Sequence, residues 1–358
     1  MRMSTWRRGV LVSTACAALA AAGCSSGGPA TPTDNSSAAP AAISTATPGA
    51  TASDWVKWDQ ASCSIVSATA PGSGGWQAVL REKSGVRIGY ATQAEGVAVV
   101  DAANGSVKAD TEKVKGEYVF ANYFYPDPAK ALDAARSITT RKAQVVASWN
   151  LLVPSMDAIL AIYKQACIPV IQISTKAAGT VLFGPDNNEV GTKEGDGLAT
   201  WAKSKGWTDS SMTVLGVPVP SLGDSVNLRV SSCITAVKKA FPNVGTASLE
   251  LAGSTTAEGQ TKMTDWLTAN PNRKQVLVCT NADTAAFGIA NAAKGANRTD
   301  QFGVGGVGGS ANPGGSFVGT VDFGFKNYGD FLVPLAMDLL EGKPVPSSVS
   351  PALKFVAG

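Results

Sequence analysis

The chain has 358 residues, with 30 lysines and arginines against 27 acidic residues, and it contains no histidine. The absence of histidine excludes Ser-His-Asp and Cys-His catalysis and the usual zinc sites. The lysines are scattered along the chain, whereas a nucleic-acid surface needs clustered basic residues, so no nucleic-acid partner is expected.

The N-terminus has the pattern of a secretory signal. Arg2, Arg7 and Arg8 precede an apolar run over residues 9–22, which is too short to span a bilayer. The run ends in Leu-Ala-Ala-Ala-Gly-Cys, which resembles a bacterial lipoprotein signal whose cysteine, here Cys24, receives lipid. We therefore expect a lipid anchor at the extracytoplasmic face of the cell membrane. The alternative is an ordinary signal peptide with an incidental cysteine.

Processing is expected to leave a linker and a folded body. Cleavage removes residues 1–23, and because these carry three arginines and no acidic residue, the net charge falls from +3 to zero. Residues 24–53 are almost entirely Ser, Thr, Ala, Gly and Pro, which predicts a flexible linker. The globular part is expected to run from Asp54 or Trp55 to Gly358. No later apolar run approaches the roughly 20 residues of a transmembrane helix.

Four cysteines remain after the signal is removed and Cys24 is lipidated. They are Cys63, Cys167, Cys233 and Cys279. An even number in an exported protein predicts two disulfides, for which three pairings are possible. The alternative is buried free thiols. Since no Cys-x-x-Cys spacing occurs, neither redox chemistry nor a metal site is expected.

Strand-like and helix-like segments alternate along the body. The predicted strands are 87–91, 117–122, 144–148, 168–173, 212–217, 247–251, 275–279 and 317–321. Asp127 and Pro128 are typical of a helix start, and Leu132, Ala135 and Ile138 form the apolar stripe of that helix. This alternation predicts an α/β fold with parallel sheets covered on both faces.

A late helix and the size of the body complete the prediction. The apolar face of that helix consists of Phe331, Leu332, Leu335, Ala336, Leu339 and Leu340. Gly342 and Pro344 are expected to end it. The body from the first of these strands onward has about 275 residues, which is large for one sheet, so two α/β lobes are predicted.

Residues 303–308 match Gly-x-Gly-x-x-Gly, the dinucleotide-binding pattern. That pattern needs a helix immediately after it to hold the pyrophosphate. Here residues 310–315 read Ser-Ala-Asn-Pro-Gly-Gly, which breaks a helix. We interpret the match as a glycine-rich strand and loop, and expect no cofactor.

Six stretches in chain order carry a family resemblance. They are Asp157–Leu160 leading into Ala166–Ile171, Gly184–Gly191, Asn227–Arg229, Thr280–Asp283 with Ala286 and Gly288, Gly319–Asp322 with Gly329, and Leu340–Pro346. They resemble the type I periplasmic binding proteins, in the sugar-binding branch that serves ABC importers and shares its fold with LacI-type repressor cores. The resemblance runs from Val86 to Ala357.

The resemblance implies two Rossmann-like lobes with parallel sheets, joined by a three-strand hinge. It assigns residues 54–186 and 323–350 to the N-terminal lobe and residues 187–322 and 351–358 to the C-terminal lobe. The lobes would close over a ligand at the carboxyl ends of their strands. The partners implied are a small-molecule ligand, an ABC permease and its ATPase, and the protein is expected to be a monomer.

The assignment of residues to the two lobes also indicates how the cysteines pair. Because a bond between lobes would lock the hinge, the resemblance implies one disulfide in each lobe. Cys63 would pair with Cys167, and Cys233 with Cys279.

The resemblance also implies a set of ligand-binding residues. They are Tyr90, Thr92, Gln93, Glu95, Trp149, Asn150, Ser174 and Thr175 from the first lobe, Arg229, Thr256, Asn281 and Asp283 from the second, and Asp322, Phe323 and Phe325 from the last crossover. Alternatives stay open for three of them. Arg229 could be a surface helix residue, Asp283 a helix cap, and Trp149 part of the core.

The sequence departs from the ribose-like members at three places. Those members have Asn-Pro-Phe-Phe after the first strand, Asp-Arg after the fourth, and an Asp within Val-Gly-Phe-Asp-Gly. Residues 93–96, 174–175 and 304–308 here lack the aromatic pair and two carboxylates that grip hydroxyls. The expected ligand is therefore another sugar, a polyol or a small amphipathic solute.

Solute capture for an ABC importer is the favoured function. A ligand sensor that signals to a membrane receptor is the first alternative. A lipid-anchored hydrolase using Glu95 with Asp322 is the second, and it would need carboxyl groups about 5 to 9.5 Å apart. No sequence motif supports the hydrolase, so the protein is not expected to be an enzyme.

Overall fold

A computed structural model describes residues 42–46, 50–51, 54–72 and 75–358. The signal peptide 1–23, the lipidation cysteine Cys24 and most of the linker lie outside these residues. Within the predicted linker, Ala42–Ala46 and Ala50–Thr51 are β-strands paired with the body. Backbone hydrogen bonds to a neighbouring strand can order a segment whose composition alone predicts flexibility.

The described residues form eighteen strands and eight α-helices. The strands are β1 (Ala42–Ala46), β2 (Ala50–Thr51), β3 (Trp55–Asp59), β4 (Ser64–Ser67), β5 (Ala78–Arg81), β6 (Arg87–Thr92), β7 (Glu117–Asn122), β8 (Val145–Ser148), β9 (Val170–Ile173), β10 (Val181–Phe183), β11 (Thr213–Gly216), β12 (Gly245–Ser248), β13 (Val276–Cys279), β14 (Phe302–Val307), β15 (Phe317–Asp322), β16 (Val345–Pro346), β17 (Ser348–Ser350) and β18 (Lys354–Ala357).

The helices alternate with these strands. They are α1 (Ala98–Lys113), α2 (Pro128–Thr140), α3 (Val153–Gln165), α4 (Asn187–Ser204), α5 (Gly223–Ala240), α6 (Thr256–Ala269), α7 (Asp283–Gly295) and α8 (Tyr328–Leu340). Short 3-10 helices occupy Asp209–Ser211, Pro220–Leu222, Thr299–Gln301 and Phe325–Asn327.

Two large sheets organise the body. The first has seven strands in the order β2-β17-β10-β9-β8-β6-β7, all parallel neighbours except β2 against β17. The second has six strands in the order β12-β11-β13-β14-β15-β18, all parallel neighbours except β15 against β18. The predicted α/β class with two parallel sheets is confirmed.

Helices cover both faces of each sheet, and the central strands are buried as a result. Every residue of β8, β9, β11 and β13 is buried, as expected for parallel strands between two helical layers. The Asp127 carboxylate caps α2 by accepting from Ala129 N and Lys130 N. Of the predicted stripe of α2, Ala135 and Ile138 are buried and Leu132 is half-buried.

We use the name first lobe for the seven-stranded sheet with α1, α2, α3 and α8, and second lobe for the six-stranded sheet with α4 to α7. The chain passes between the two sheets three times, from β10 to α4, from β15 to α8 and from β17 to β18. Helix α8 packs against α1 and β5, whereas α4 packs against α5.

Two disulfides lie one in each lobe. Cys63, between β3 and β4, bonds to Cys167, which precedes β9. Cys233 of α5 bonds to Cys279 at the end of β13. This is the pairing that the family resemblance implies.

The described residues contain no helix long and apolar enough to cross a membrane. Within the same part of the chain, no three His, Cys, Asp or Glu side chains are grouped as a metal site would require.

Candidate ligand-binding site

We use the name cleft for the region between the lobes where the carboxyl ends of the two sheets approach each other. Tyr125, which follows β7 of the first lobe, packs against the core of the second lobe. A Cβ at Gly223, the first residue of α5, would lie 3.7 Å from Val153 Cγ2 at the start of α3. Val307 and Val321, near the ends of β14 and β15, belong to the same apolar cluster as the first-lobe core. The lobes are therefore in contact at several points around the cleft.

Arg229 of α5 is the main cation of the site. It is 8% exposed, so the alternative of a surface helix residue does not hold. Its Nε donates to Asn187 Oδ1 at 2.6 Å and its Nη1 donates to the carbonyl of Asn281 at 3.0 Å. The guanidinium lies 5.1 Å from the centroid of the Phe323 ring.

No carboxylate forms an ion pair with Arg229 among the described residues, and Nη2 has no acceptor there. Burial lowers the pKa of Arg229 to about 10, while Tyr328 and Glu194 oppose that shift. The guanidinium therefore stays charged at neutral pH. A buried charge without a counterion is costly unless a ligand supplies one or supplies hydrogen bonds.

Asn281, directly after β13 and Thr280, lies beside this cation. Its Oδ1 accepts from the hydroxyl of Ser254 at 2.9 Å, and its Nδ2 is buried without a partner in the described structure. Thr280 N donates to Oε1 of the fully buried Glu194 at 2.8 Å. Burial raises the pKa of Glu194 well above its ordinary range.

Sequence reasoning missed Glu194, Asn187 and Ser254 as parts of this site. Asn187 falls within the stretch Gly184–Gly191 that carried the family resemblance, so a signal for it was present. Neither Glu194 nor Ser254 has a sequence signal, because their roles depend on contacts with residues distant in the chain.

Asp283 organises the loop after β14. Its Oδ2 accepts from Ser310 N and its Oδ1 from the hydroxyl of Thr320, both at 2.8 Å. Its side chain makes no capping bond to α7, so the helix-cap alternative does not hold. Burial raises the pKa of Asp283, and the hydrogen bonds from Ser310 and Thr320 oppose the shift.

Two carboxylates account for the glycine-rich pattern at residues 303–308. A Cβ at Gly305 would lie 2.6 Å from Glu194 Oε1, and a Cβ at Gly306 would collide with Asp283 Oδ1. The pattern lies in β14 and continues into a loop that reaches β15 without a helix. The glycines thus admit two buried carboxyl groups beside the strand, and no helix N-terminus follows to hold a pyrophosphate.

Aromatic rings connect the first lobe to Arg229. Trp149 is 2% exposed and its ring lies 5.5 Å from Phe325 and 5.9 Å from Tyr328, between ring centroids. Phe325 is 5.4 Å from Phe323, the ring beneath Arg229. The indole Nε1 of Trp149 and the hydroxyl of Tyr328 are buried without partners in the part of the chain described. Trp149 is therefore covered by the rings of Phe325 and Tyr328, and its indole N–H has no acceptor among the described residues.

Other predicted first-lobe residues serve the fold. Tyr90 is fully buried in the first-lobe core. The Thr92 hydroxyl donates to Ala94 O. Asn150 accepts from Leu152 N through Oδ1 and donates to the Ser155 hydroxyl through Nδ2, so its side chain organises the start of α3.

The remaining predicted residues lie after the ends of strands or at the start of a helix, and they differ in exposure. Ser174 and Thr175, after β9, are each 8% exposed. Gln93 is half-buried, and Thr256 is exposed and donates to Thr284 O.

Each carboxylate of the hydrolase alternative has its own hydrogen-bond partner. Glu95 is exposed and accepts from Asn122 Nδ2 at 2.8 Å, whereas Asp322 Oδ1 accepts from Gly324 N at 2.8 Å.

A two-lobed α/β body with a polar cleft at the carboxyl ends of two parallel sheets defines a class of binding proteins. Residues 88–344 match the family model described as periplasmic binding protein domain. The chain therefore belongs to the periplasmic binding protein family, and the predicted type I fold is confirmed. No curated protein matches the chain significantly.

Solved structures share this fold. An ABC transporter solute-binding protein from Mycobacterium smegmatis with bound glycerol is 21% identical, with a TM-score of 0.67 over 76% of this chain and 94% of its own. A solute-binding protein from Agrobacterium vitis with bound allitol is 18% identical, with a TM-score of 0.65 over 76% and 96%. One from Actinobacillus succinogenes with bound D-allose is 15% identical, with a TM-score of 0.65 over 76% and 97%.

Proposed function

We propose that the chain is an extracytoplasmic solute-binding protein that captures a small polyhydroxylated solute, a sugar or polyol, between its lobes and delivers it to an ABC importer. The observation that carries this proposal is the buried Arg229, without an ion pair among the described residues, where the carboxyl ends of both sheets meet. Guanidinium and amide groups donate hydrogen bonds to ligand oxygens. Aromatic faces such as Phe323 cover the apolar parts of a ring.

The solved neighbours support the solute class. Glycerol, D-allose and allitol occupy three proteins that share this fold, and all three are small neutral polyhydroxy compounds. Membership of a binding-protein family also favours ligand capture over catalysis.

Hinge closure is the proposed mechanism. Residues 54–186 with 323–350 and residues 187–322 with 351–358 would move as two bodies about the three crossovers. A solute that contacts both Arg229 and the first lobe would favour the closed arrangement, because those contacts exist together only when the lobes meet. An importer could then distinguish loaded from empty protein by its shape.

Thermal-shift screening of the purified protein against neutral sugars, polyols and their acids tests the proposal. A ligand that binds only the folded state stabilises it by about 2.7 kcal/mol at one hundred times its Kd. We expect at least one member to raise the Tm of the wild type but not of R229Q. A panel in which no member shifts the wild-type Tm would contradict the proposal.

The lipid anchor at Cys24 is a separate proposal, tested by cell fractionation. C24S should move the exported protein from the membrane to the soluble fraction. C16S, which removes a cysteine inside the apolar run, is the matched control and should leave it on the membrane. Membrane retention of C24S would argue for an ordinary signal peptide or another attachment.

A further inference from the structure

We infer that the solute held in the cleft carries a carboxylate as well as hydroxyls, so that a sugar acid binds more tightly than the corresponding neutral sugar or polyol. This inference rests on the proposed function, because it concerns the ligand of the same site.

The buried charge of Arg229 favours an anionic ligand. Arg229 is 8% exposed, and no carboxylate lies within ion-pair distance of it in the described residues. Glu194 is a neighbouring acid, but its Oε1 is held by Thr280 N, and burial raises its pKa and so favours its neutral form. A ligand carboxylate would supply the counterion that the protein does not, and guanidinium–carboxylate pairs can form two parallel hydrogen bonds.

The balance of donors and acceptors favours the same kind of ligand. Four side-chain acceptor atoms of the site already have a donor: Asn187 Oδ1 accepts from Arg229, Asn281 Oδ1 from Ser254, and the two Asp283 oxygens from Ser310 and Thr320. Three donors have no partner among the described residues, namely Arg229 Nη2, Asn281 Nδ2 and Trp149 Nε1. Glu194 Oε2 and the Tyr328 hydroxyl are also without a partner there, but burial favours the neutral form of the Glu194 carboxyl, which can itself donate a hydrogen bond. A sugar acid has one hydroxyl donor fewer than its neutral partner and carries instead a carboxylate, which only accepts hydrogen bonds. The three unpartnered donors, one of them on a buried cation, therefore fit the carboxylate of such a ligand.

The test compares matched acids and neutral compounds by isothermal titration calorimetry on the complete mature chain at constant ionic strength. The pairs are D-gluconate with D-glucitol, D-allonate with allitol, D-galacturonate with D-galactose, and D-glycerate with glycerol. We expect the acid of at least one pair to bind at least ten times more tightly than its neutral partner. No variant is needed for this comparison, so it does not depend on how a mutant folds.

Two variants and a control locate the effect. R229Q should lower the affinity for the acid at least tenfold while changing that for its neutral partner less. N281D, which replaces the unpartnered amide donor by an acceptor, should also lower the acid-to-neutral ratio. K262Q removes one positive charge from an exposed position of α6 and should leave the ratio unchanged.

The outcomes separate this inference from the proposed function. Neutral members that bind as tightly as their acids would overturn the carboxylate inference and leave solute capture standing. A ratio that falls equally in K262Q and R229Q would also overturn it, since the preference would then reflect overall charge. If neither the acids nor any neutral sugar or polyol bound, both the inference and the proposed function would fail.

Discussion

Replacing Glu194 by glutamine removes an ionisable carboxyl next to the candidate site with little change in the shape of the side chain. Glu194 is fully buried on α4, and its Oε2 has no partner among the described residues. Burial raises the pKa of this carboxyl well above its ordinary value of 4.5, the hydrogen bond from Thr280 N opposes the shift, and Asp283 adds to it. The folded protein therefore disfavours the ionised form more than the unfolded chain does.

The sign of the pH dependence follows from this difference. Below pH 4.5 the carboxyl is mostly neutral in both states and carries no penalty. As the pH rises, the unfolded chain loses the proton first, so the stability of the folded wild type falls until the folded pKa is passed. The free energy of unfolding of E194Q relative to wild type should therefore increase between pH 4.5 and 8, by about 1.4 kcal/mol for each unit that separates the two pKa values within that range.

Urea denaturation with the disulfides intact, at both pH values, measures this change. The control is E189Q on the same helix, where the half-buried Glu189 has its Oε1 3.4 Å from Lys193 Nζ. Loss of such a surface pair should change the free energy of unfolding by less than about 0.5 kcal/mol at either pH. An E194Q-to-wild-type difference that is the same at pH 4.5 and 8 would refute the reasoning.

Three further predictions concern a helix cap, a ring and a disulfide. D127A removes the acceptor for two backbone N–H groups of α2 and should lower the free energy of unfolding by about 1 kcal/mol in urea titrations; an unchanged value would show that the cap contributes nothing. F323A removes the ring 5.1 Å from the Arg229 guanidinium, and calorimetry should show several-fold weaker binding of any solute that stabilises the wild type. Wild-type affinity in F323A would place the solute elsewhere. C233S with C279S removes the disulfide between cysteines 46 positions apart, and chain entropy predicts a loss of up to about 4 kcal/mol in the free energy of unfolding. The Tm should fall markedly, and a Tm equal to that of the wild type would contradict this.

The central strands were predictable from sequence because their burial on both faces imposes continuous apolar runs. The predicted 117–122 coincides with β7, and the predicted 275–279 differs from β13 by one residue. The predicted 247–251 is displaced from β12, which is Gly245–Ser248. Leu249 and Leu251, which suggested that strand, instead pack into the second-lobe core beyond its end.

Short strands and crossovers were not predictable. Strands β10, β17 and β18 have three or four residues each, and each is defined by pairing with another strand: β10 pairs with β17 at a separation of 166 positions, and β18 with β15 at 32 to 38 positions. The same holds for β1, whose partner β5 supplies the backbone hydrogen bonds that its composition could not indicate. Periodicity is a local signal, whereas these strands are defined by distant pairing.

The site residues likewise divide into those with a local sequence signal and those defined by contacts with distant parts of the chain. Arg229, Asn281 and Phe323 were identified through motif resemblance, and the structure brings them together. Glu194 was missed because the polar sequence around it does not reveal which helix face is buried. Glu194 is buried against Gly305 and Thr280. Both residues are distant in the chain, so the sequence of α4 cannot indicate these contacts.

A crystal structure of the protein with the tightest-binding member of the solute panel tests the central claim most directly. We predict the solute between the two sheets, with ligand oxygens within hydrogen-bond distance of Arg229 Nη2 and Asn281 Nδ2. A solute bound on the outer face of either lobe, with the Arg229 guanidinium untouched, would contradict it.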